Sequence, residues 1–148
     1  MNESDKKIDP QKVYEILLRH YSFENYLHAD RVSNNILNNL VIPKALVDDC
    51  YWVAWFHDII EDSVNRNSLE EDLEQLPAHI VEAVKILNKP KSMPYTEYCK
   101  QIKLATSTYA GKLAYYVKLA DIKDHLSLTD TLTDRLKEKY LNGLRYLL

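Results

Sequence analysis

Residues 55–62 read Trp-Phe-His-Asp-Ile-Ile-Glu-Asp, so four polar, ligand-type side chains interrupt a run that is otherwise aromatic and aliphatic. Burying acids and an imidazole in such surroundings is costly unless a metal ion or hydrogen-bond partners compensate. Residues four apart lie on nearly the same line of an α-helix, which stacks His57 above Glu61 and Asp58 above Asp62. The stretch therefore predicts a helix built around a metal site, and a metal-assisted hydrolase is the leading hypothesis.

The remainder of the chain predicts helices on both sides of this stretch. Apolar residues recur at spacings of three and four almost throughout the 148 residues, as in amphipathic helices. Only two glycines are present, and no Asn-Gly or Asp-Gly pair marks a β-hairpin. The predicted helices cover residues 10–20, 23–40, 43–62, 68–76, 77–88, 95–107, 110–126 and 131–148. The predicted fold class is all-α, a compact bundle of about seven or eight helices in a single domain spanning residues 1–148.

Composition and charge exclude several classes of function. The formal net charge of -3 provides no basic field for nucleic acid. No apolar stretch approaches the ~18 residues of a membrane span, and residues 1–7 lack the apolar core of a signal peptide. Cys50 and Cys99 are isolated, which favours reduced thiols over a disulfide. The sequence thus predicts a cytoplasmic protein that binds neither nucleic acid nor a membrane, and it leaves the oligomeric state open.

Two side chains elsewhere in the sequence could join the central His-Asp pair. His28 lies on the same predicted face as Val32 and Ile36, which we expect to be buried. Asp121 interrupts the run Tyr-Tyr-Val-Lys-Leu-Ala at residues 115–120. Three helices would then bring four ligands to one point: His28, His57, Asp58 and Asp121.

Each of these candidates also has a plainer interpretation. Taken alone, His28 fits a hydrogen-bonded core histidine, and Asp121 fits an ion pair with Lys118 or Lys123. The conjunction of all four predicted ligands is more informative than any single member. Mixed imidazole and carboxylate ligation suits Mn²⁺, Fe²⁺, Co²⁺ or Zn²⁺ better than Ca²⁺.

The pattern resembles the HD-domain metal-dependent phosphohydrolases, which are marked by an early histidine, a His-Asp pair on a later helix and a distal aspartate. The resemblance covers residues 21–146 and is closest to the small Rel/Spo-type alarmone hydrolases and their uncharacterised bacterial relatives. Their His-Asp-x-x-Glu-Asp motif is matched by residues 57–62, and their Val-Lys-Leu-Ala-Asp segment by residues 117–121. A Tyr-x-x-Tyr segment between the two motifs is matched by residues 95–98.

This resemblance implies an HD-domain helical bundle that holds one divalent ion, usually Mn²⁺ in the alarmone hydrolases. The ligands that it implies are His28, His57, Asp58 and Asp121. It also implies that Glu61 and Asp62 handle the attacking water and the leaving group. The alarmone hydrolases remove the 3′-pyrophosphate of guanosine 3′,5′-bis(diphosphate) and its pentaphosphate counterpart, so a phosphorylated nucleotide or other small molecule is the expected substrate.

Three departures from the alarmone hydrolases concern the nucleotide. Ala29 stands where the family often has proline after the first histidine, and His125 stands where it tends to have asparagine. Arg19 is the only lysine or arginine between Lys12 and Arg31, where the alarmone hydrolases carry the bases that grip the nucleotide. These departures leave the implied ligands intact and bear on guanosine specificity.

The proposed chemistry assigns a role to each remaining candidate. Glu61 is the first choice for orienting or deprotonating the water, because it lies one turn beyond a proposed ligand. Asp62 is the second member of the pair, as a proton shuttle or water-positioning group. A phosphorylated substrate needs positive charge nearby. The predicted substrate contacts are Lys89, Lys123, His125 and Tyr95.

Three other interpretations stay open at this point. An HD-type nucleoside 5′-monophosphate phosphatase would use the same four ligands and differ only in its pocket. A catalytically silent regulatory module would bind the metal but would not need the acid pair of Glu61 and Asp62. A helical bundle that binds no metal ion is the third alternative.

Overall fold

The computed structural model describes residues 7–148, and the prediction made for residues 1–6 lies outside this part of the chain. The described residues are 76% helical and contain no strand, which confirms the predicted all-α bundle. Nine α-helices are present in these residues, and eight of them have eight residues or more, in line with the predicted seven or eight. The helices are α1 (Pro10–His20), α2 (Phe23–Asn38), α3 (Val47–Phe56), α4 (Ile59–Asp62), α5 (Arg66–Leu73), α6 (Ala78–Leu87), α7 (Tyr95–Leu104), α8 (Tyr109–Ser127) and α9 (Asp134–Leu147). None of these helices combines the length and apolar character that crossing a membrane requires.

Local capping explains where several of these helices begin. The side chain of Asp9 accepts a hydrogen bond from the backbone N–H of Gln11 at 3.1 Å, and Pro10 occupies the first position of α1. Ser22 caps α2 and Thr108 caps α8 in the same way. The side-chain oxygens satisfy backbone N–H groups that have no partner within the helix. The start predicted for the first helix is therefore confirmed.

The predicted helix over residues 43–62 is interrupted at the His-Asp pair. Helix α3 ends at Phe56, and Asp58 has φ -107° and ψ 5°, outside the helical region. The Ala54 carbonyl accepts from the backbone N–H of His57 at 3.4 Å and from His57 Nδ1 at 2.6 Å. These bonds tighten the last turn, so His57 and Asp58 lie in a turn before the four-residue α4. The predicted stacking of His57 above Glu61 on one continuous helix was wrong.

Helix α8 lies at the centre of the bundle and packs against α2, α3, α6 and α9. Its fully buried residues include Leu113, Val117 and Ile122, which join the main hydrophobic core. The same helix also buries Asp121 and Asp124, two acids that a central helix carries only when they have partners. The core therefore fixes one face of α8 while the polar positions face α2 and the turn after α3.

The two cysteines contribute to the core and not to a covalent crosslink. Cys50 and Cys99 are buried and free. The prediction of separate thiols is therefore confirmed. Burial raises the pKa of the Cys50 thiol to about 12, so it remains protonated and unreactive.

A second buried histidine holds the N-terminal helix in place. His20 is fully buried, with Nδ1 2.6 Å from Ser63 Oγ and Nε2 2.7 Å from Asp72 Oδ2. Arg19 donates two further hydrogen bonds to Asp72, at 3.1 and 3.0 Å. These contacts tie α1 to α5 and to the residue that follows α4. Arg19, the base considered for gripping a nucleotide, is therefore occupied in a structural ion pair.

We expect Asp72→Asn to lower the free energy of unfolding at pH 7 by ~1–3 kcal/mol, because charged hydrogen bonds are lost. Burial alone raises the pKa of Asp72, but the hydrogen bonds from Arg19 and His20 outweigh burial and lower it below its usual value. Such a carboxylate stabilises the fold above its unfolded pKa of about 3.9, and this contribution is lost as the pH falls through the folded pKa.

Urea denaturation at pH 7 and pH 3 tests this expectation. The difference between wild type and Asp72→Asn should shrink at the lower pH. Asp130→Asn is the matched control, since Asp130 is exposed and should leave stability unchanged. An equal loss of stability for Asp72→Asn at both pH values would contradict the role assigned to the carboxylate.

Candidate metal centre

Three separate segments meet at one point beside α8. His28 comes from the second turn of α2, His57 and Asp58 come from the turn between α3 and α4, and Asp121 comes from α8. One ligand-type atom from each of these residues lies within 4.8 Å of the corresponding atoms of the others. The structure therefore brings together the four side chains singled out in the sequence as metal ligands.

The separations within this cluster suit coordination of a single cation. Asp121 Oδ1 lies 2.9 Å from His28 Nε2 and 3.3 Å from His57 Nε2. Asp58 Oδ2 lies 3.1 Å from His57 Nε2 and 3.6 Å from His28 Nε2. Ligand atoms that share one ion through bonds of about 2.1 Å lie roughly 3 Å apart. Small adjustments of these four side chains would suffice to bind one divalent ion.

The outer nitrogens of both imidazoles are held by acceptors. His57 Nδ1 donates to the Ala54 carbonyl at 2.6 Å, because a carbonyl oxygen only accepts. His28 Nδ1 lies 2.7 Å from Asp124 Oδ2, and Arg31 donates to the other oxygen of Asp124 at 2.8 Å. A histidine whose Nδ1 carries the bonded proton presents the lone pair of Nε2 to a metal. Both Nε2 atoms face the cluster, as metal ligation requires.

Lys118 orients the distal aspartate. Its Nζ donates to Asp121 Oδ2 at 2.7 Å and leaves Oδ1 directed at the two imidazoles. The ammonium also lies 4.9 Å from the ring centroid of Tyr98 and 5.2 Å from that of Tyr95. Burial lowers the pKa of Lys118, but Asp121 and the two tyrosines outweigh burial and raise it well above its usual value. The buried ammonium therefore stays charged.

The carboxylates of the cluster are ionised. Burial alone raises the pKa of Asp121, but Lys118 and the hydrogen bonds from His125, His28 and His57 lower it well below its usual value. Burial likewise raises the pKa of Asp58, and its interaction with His57 lowers it below the usual value. Two ionised aspartates in a buried site favour the binding of positive charge, whether protons or a metal cation.

The nearby aspartates also change the pKa values of the two imidazoles. Burial lowers the pKa of His28, but hydrogen bonds to Asp121 and Asp124 outweigh burial and raise it to about 9. For His57, burial lowers the pKa, while Asp58 and Asp121 raise it well above its usual value. Without a cation the two aspartates therefore hold protons on the imidazoles, and a metal ion would displace them on binding.

A half-open cavity of about 230 Å³ adjoins the cluster. Asp58 and Asp121 form part of its wall, so the cavity reaches two of the four candidate ligands. A larger groove of about 640 Å³ lies between α5 and α6, but none of the four ligands lines it. The smaller cavity is therefore the candidate substrate pocket, because two of the candidate ligands line it.

Both predicted catalytic acids line this cavity, in different environments. Glu61 is exposed, and Asp62 is half-buried. Burial and the neighbouring charges of Asp58 and Glu61 raise the pKa of Asp62 to about 6. A carboxylate with a pKa near neutrality is suited to proton transfer. This favours Asp62 over Glu61, which the sequence reasoning had ranked first.

The predicted substrate contacts divide into two groups. Lys89, Tyr95 and His125 line the cavity, whereas Lys123 is exposed and does not. At 3.6 residues per turn, residues three and four positions after Asp121 face the cluster, and a residue two positions after it points away. Lys123 is therefore the one member of the predicted substrate contacts that does not line the cavity.

Two functional features were missed by the sequence reasoning. Asp124 holds His28, and its position one turn after Asp121 was the only local signal for it. On α9, Lys139 and Tyr140 also line the cavity. The Tyr140 ring stacks on His125 with centroids 4.4 Å apart and planes 7° apart. His125 Nε2 in turn lies 3.3 Å from Asp121 Oδ1.

No protein-family model matches this chain, and no curated protein matches it significantly. Two imidazole nitrogens and two carboxylate oxygens converge. The outer atoms of His28, His57 and Asp121 are held by Asp124, Ala54 and Lys118, respectively. Such bonded outer partners are typical of metal ligands in proteins.

Proposed function

We propose that this protein is a metal-dependent phosphohydrolase with one divalent ion in an HD-type site. The observation that supports this most directly is the convergence of His28, His57, Asp58 and Asp121, whose ligand atoms lie within 4.8 Å of one another. The donor set of two imidazoles and two carboxylates fits Mn²⁺, Fe²⁺, Co²⁺ or Zn²⁺. We favour Mn²⁺, in line with the resemblance to the alarmone hydrolases.

The bound ion would supply Lewis acidity toward a phosphoryl oxygen and toward water. The protein's own contribution begins with the acids at the rim of the site. Asp62, which is half-buried and lines the cavity beside the proposed ligands, would accept the proton of the attacking water. Glu61 is exposed on the same cavity wall and would position the water or pass the proton to solvent.

Two substrate classes fit this proposal, and one observation bears on the choice between them. The alarmone hydrolases carry basic residues shortly before the first histidine to grip guanosine 3′,5′-bis(diphosphate). Here Arg19 is bonded to Asp72 and Arg31 is bonded to Asp124, and neither arginine lines the cavity. Because both arginines are already bonded to aspartates, we favour nucleoside 5′-monophosphates and related phosphate esters as substrates. The alarmone is the first compound to compare with them.

A substrate panel with defined metals tests the proposal. The purified protein would be stripped with a chelator, reloaded with Mn²⁺ and incubated with guanosine 3′,5′-bis(diphosphate), nucleoside 5′-monophosphates and an aryl phosphate. Release of phosphate or pyrophosphate that stops on chelation and returns with Mn²⁺ is the expected result. Bound Mn²⁺ with no turnover on any member would instead identify a metal-binding regulatory module.

We also propose a cytoplasmic location for the protein. Its two thiols, Cys50 and Cys99, are free. Free thiols are typical of proteins in a reducing compartment. Fractionation of cells that express the tagged protein would check this proposal.

A further inference from the structure

The cavity beside the candidate metal centre is lined by side chains of both charges. Four carboxylates line it, from Asp58, Glu61, Asp62 and Asp121. Lys89 and Lys139 contribute ammonium groups to the same cavity from the loop after α6 and from α9. A small cavity lined by carboxylates that could hold a metal ion, and by ammonium groups as well, is suited to a substrate that contacts both the ion and the basic side chains.

The two lysines have no anionic partner within the described residues. Neither Lys89 nor Lys139 forms an ion pair with a carboxylate anywhere in residues 7–148. Lys118 differs from them, because its charge is already neutralised by Asp121 at 2.7 Å. The positive charges of Lys89 and Lys139 therefore remain available to a ligand.

Both unpaired ammonium groups are nevertheless held in position. Lys89 Nζ donates to the carbonyls of Pro90 and Met93, at 3.0 and 2.8 Å. Lys139 Nζ lies 4.6 Å from the ring centroid of Tyr95 and 5.2 Å from that of Tyr140. Anchoring a flexible side chain before the ligand arrives reduces the entropy lost on binding. The two ammonium groups are therefore already positioned to bind an anion.

Close packing of α9 against α7 sets the position of Lys139. Gly143 lies four residues after Lys139 on the same face of α9. A Cβ atom at residue 143 would lie 2.6 Å from Cε2 of Tyr95 and 3.1 Å from Sγ of Cys99. Glycine thus lets α9 approach the Tyr95 ring closely, and Lys139 reaches the cavity one turn away.

Repulsion among the lysines gives a further reason to expect an anion. Burial lowers the pKa of Lys139, and the positive charges of Lys118 and Lys89 lower it further. Asp121 and Glu61 raise it, but not enough to offset these effects. Like charges gathered in one cavity destabilise each other unless an anion neutralises them. A phosphoryl group, which carries up to two negative charges and several acceptor oxygens, is well matched to such a site.

We propose that Lys139, with Lys89, binds the phosphoryl end of the substrate beside the candidate metal ion. This inference rests on the proposed phosphohydrolase function and extends it to substrate recognition. The cavity of about 230 Å³ is smaller than the ~300–1,000 Å³ of pockets that enclose a whole drug-sized ligand. The phosphorylated end therefore enters, and the organic remainder lies at the opening. Substrates are selected by their terminal phosphate and not by a particular base.

Binding of inorganic phosphate to the metal-free protein tests the site without turnover. Isothermal titration calorimetry is expected to give a Kd about tenfold higher for Lys139→Met than for wild type, as loss of one charged hydrogen bond predicts. Lys139→Arg should retain most of the affinity, because it keeps the charge. Lys137→Met is the matched control, since Lys137 is exposed on the same helix and does not line the cavity. In the Mn²⁺-loaded protein, Lys139→Met should raise KM about tenfold and leave kcat nearly unchanged.

The outcomes separate this inference from the proposed function. Unchanged phosphate affinity and KM in Lys139→Met would overturn the inference, even if the wild-type protein hydrolysed phosphate esters. Phosphate binding that depends on Lys139 in a protein without hydrolytic activity would support the anion site and reject the phosphohydrolase. An equal loss of phosphate affinity in Lys137→Met would show a general effect of charge and would also overturn the inference.

Discussion

Replacing His57 with alanine is expected to abolish tight binding of Mn²⁺ and to remove hydrolysis along with it. The change deletes one of the four candidate ligands and leaves Asp121 and Asp58 facing each other with less opposing positive charge. Loss of an outer partner alone costs roughly 10–100-fold in metal affinity, so loss of a ligand is expected to cost about 100-fold or more. Elemental analysis after Mn²⁺ loading and gel filtration measures the retained metal.

Two companion variants separate metal binding from folding. His57 is buried and bonded to Ala54, so circular dichroism and thermal melting must accompany the measurement. Asp58→Asn preserves the shape of its side chain, which is partly exposed, and should lose the metal with little loss of stability. His79→Ala is the matched control, because His79 pairs with Asp49 outside the cluster. Full metal occupancy in both site variants would contradict the ligand assignment.

The fold was predictable because the period of the hydrophobic pattern decides most of it. Apolar spacings of three and four located every long helix, and Pro10 after Asp9 gave the start of α1 correctly. The break at His57 was not predictable from that pattern. The break depends on a hydrogen bond from the His57 side chain to the Ala54 carbonyl. The apolar residues on both sides give no sign of this bond.

The four candidate ligands could be named from the sequence because each is a polar residue set among buried apolar ones. Their supporting partners could not. Asp124 meets His28 across 96 positions of sequence, and the anchoring of Lys139 depends on how closely α9 packs at Gly143. Such contacts are set by tertiary packing, and the local spacing of apolar residues does not predict them. Lys123 shows the opposite case. It lies only two residues after Asp121 in the sequence, but it is on a different face of α8 and does not line the cavity.

Asp62→Asn is expected to keep the metal ion and to lower kcat by about 100-fold or more, as removal of a general base does. The amide retains the size of the side chain but cannot accept a proton from water. Steady-state kinetics on the best substrate of the panel, with bound Mn²⁺ measured in parallel, tests this. Glu61→Gln serves for comparison, and we expect a smaller decrease because Glu61 is exposed.

Stability gives an independent test of the same residue, since the pKa of Asp62 is raised to about 6 in the folded protein. A carboxyl with a raised pKa favours the fold in its protonated form, so stability is greatest below the unfolded pKa of about 3.9 and declines as the pH rises through 6. Asparagine mimics the neutral form. The metal-free Asp62→Asn variant should therefore be more stable than wild type at pH 7, by on the order of 1 kcal/mol after solvent screening, and equal to it at pH 3. Gain of stability with loss of turnover is the signature of a group retained for chemistry, and a variant with normal kcat would remove Asp62 from that role.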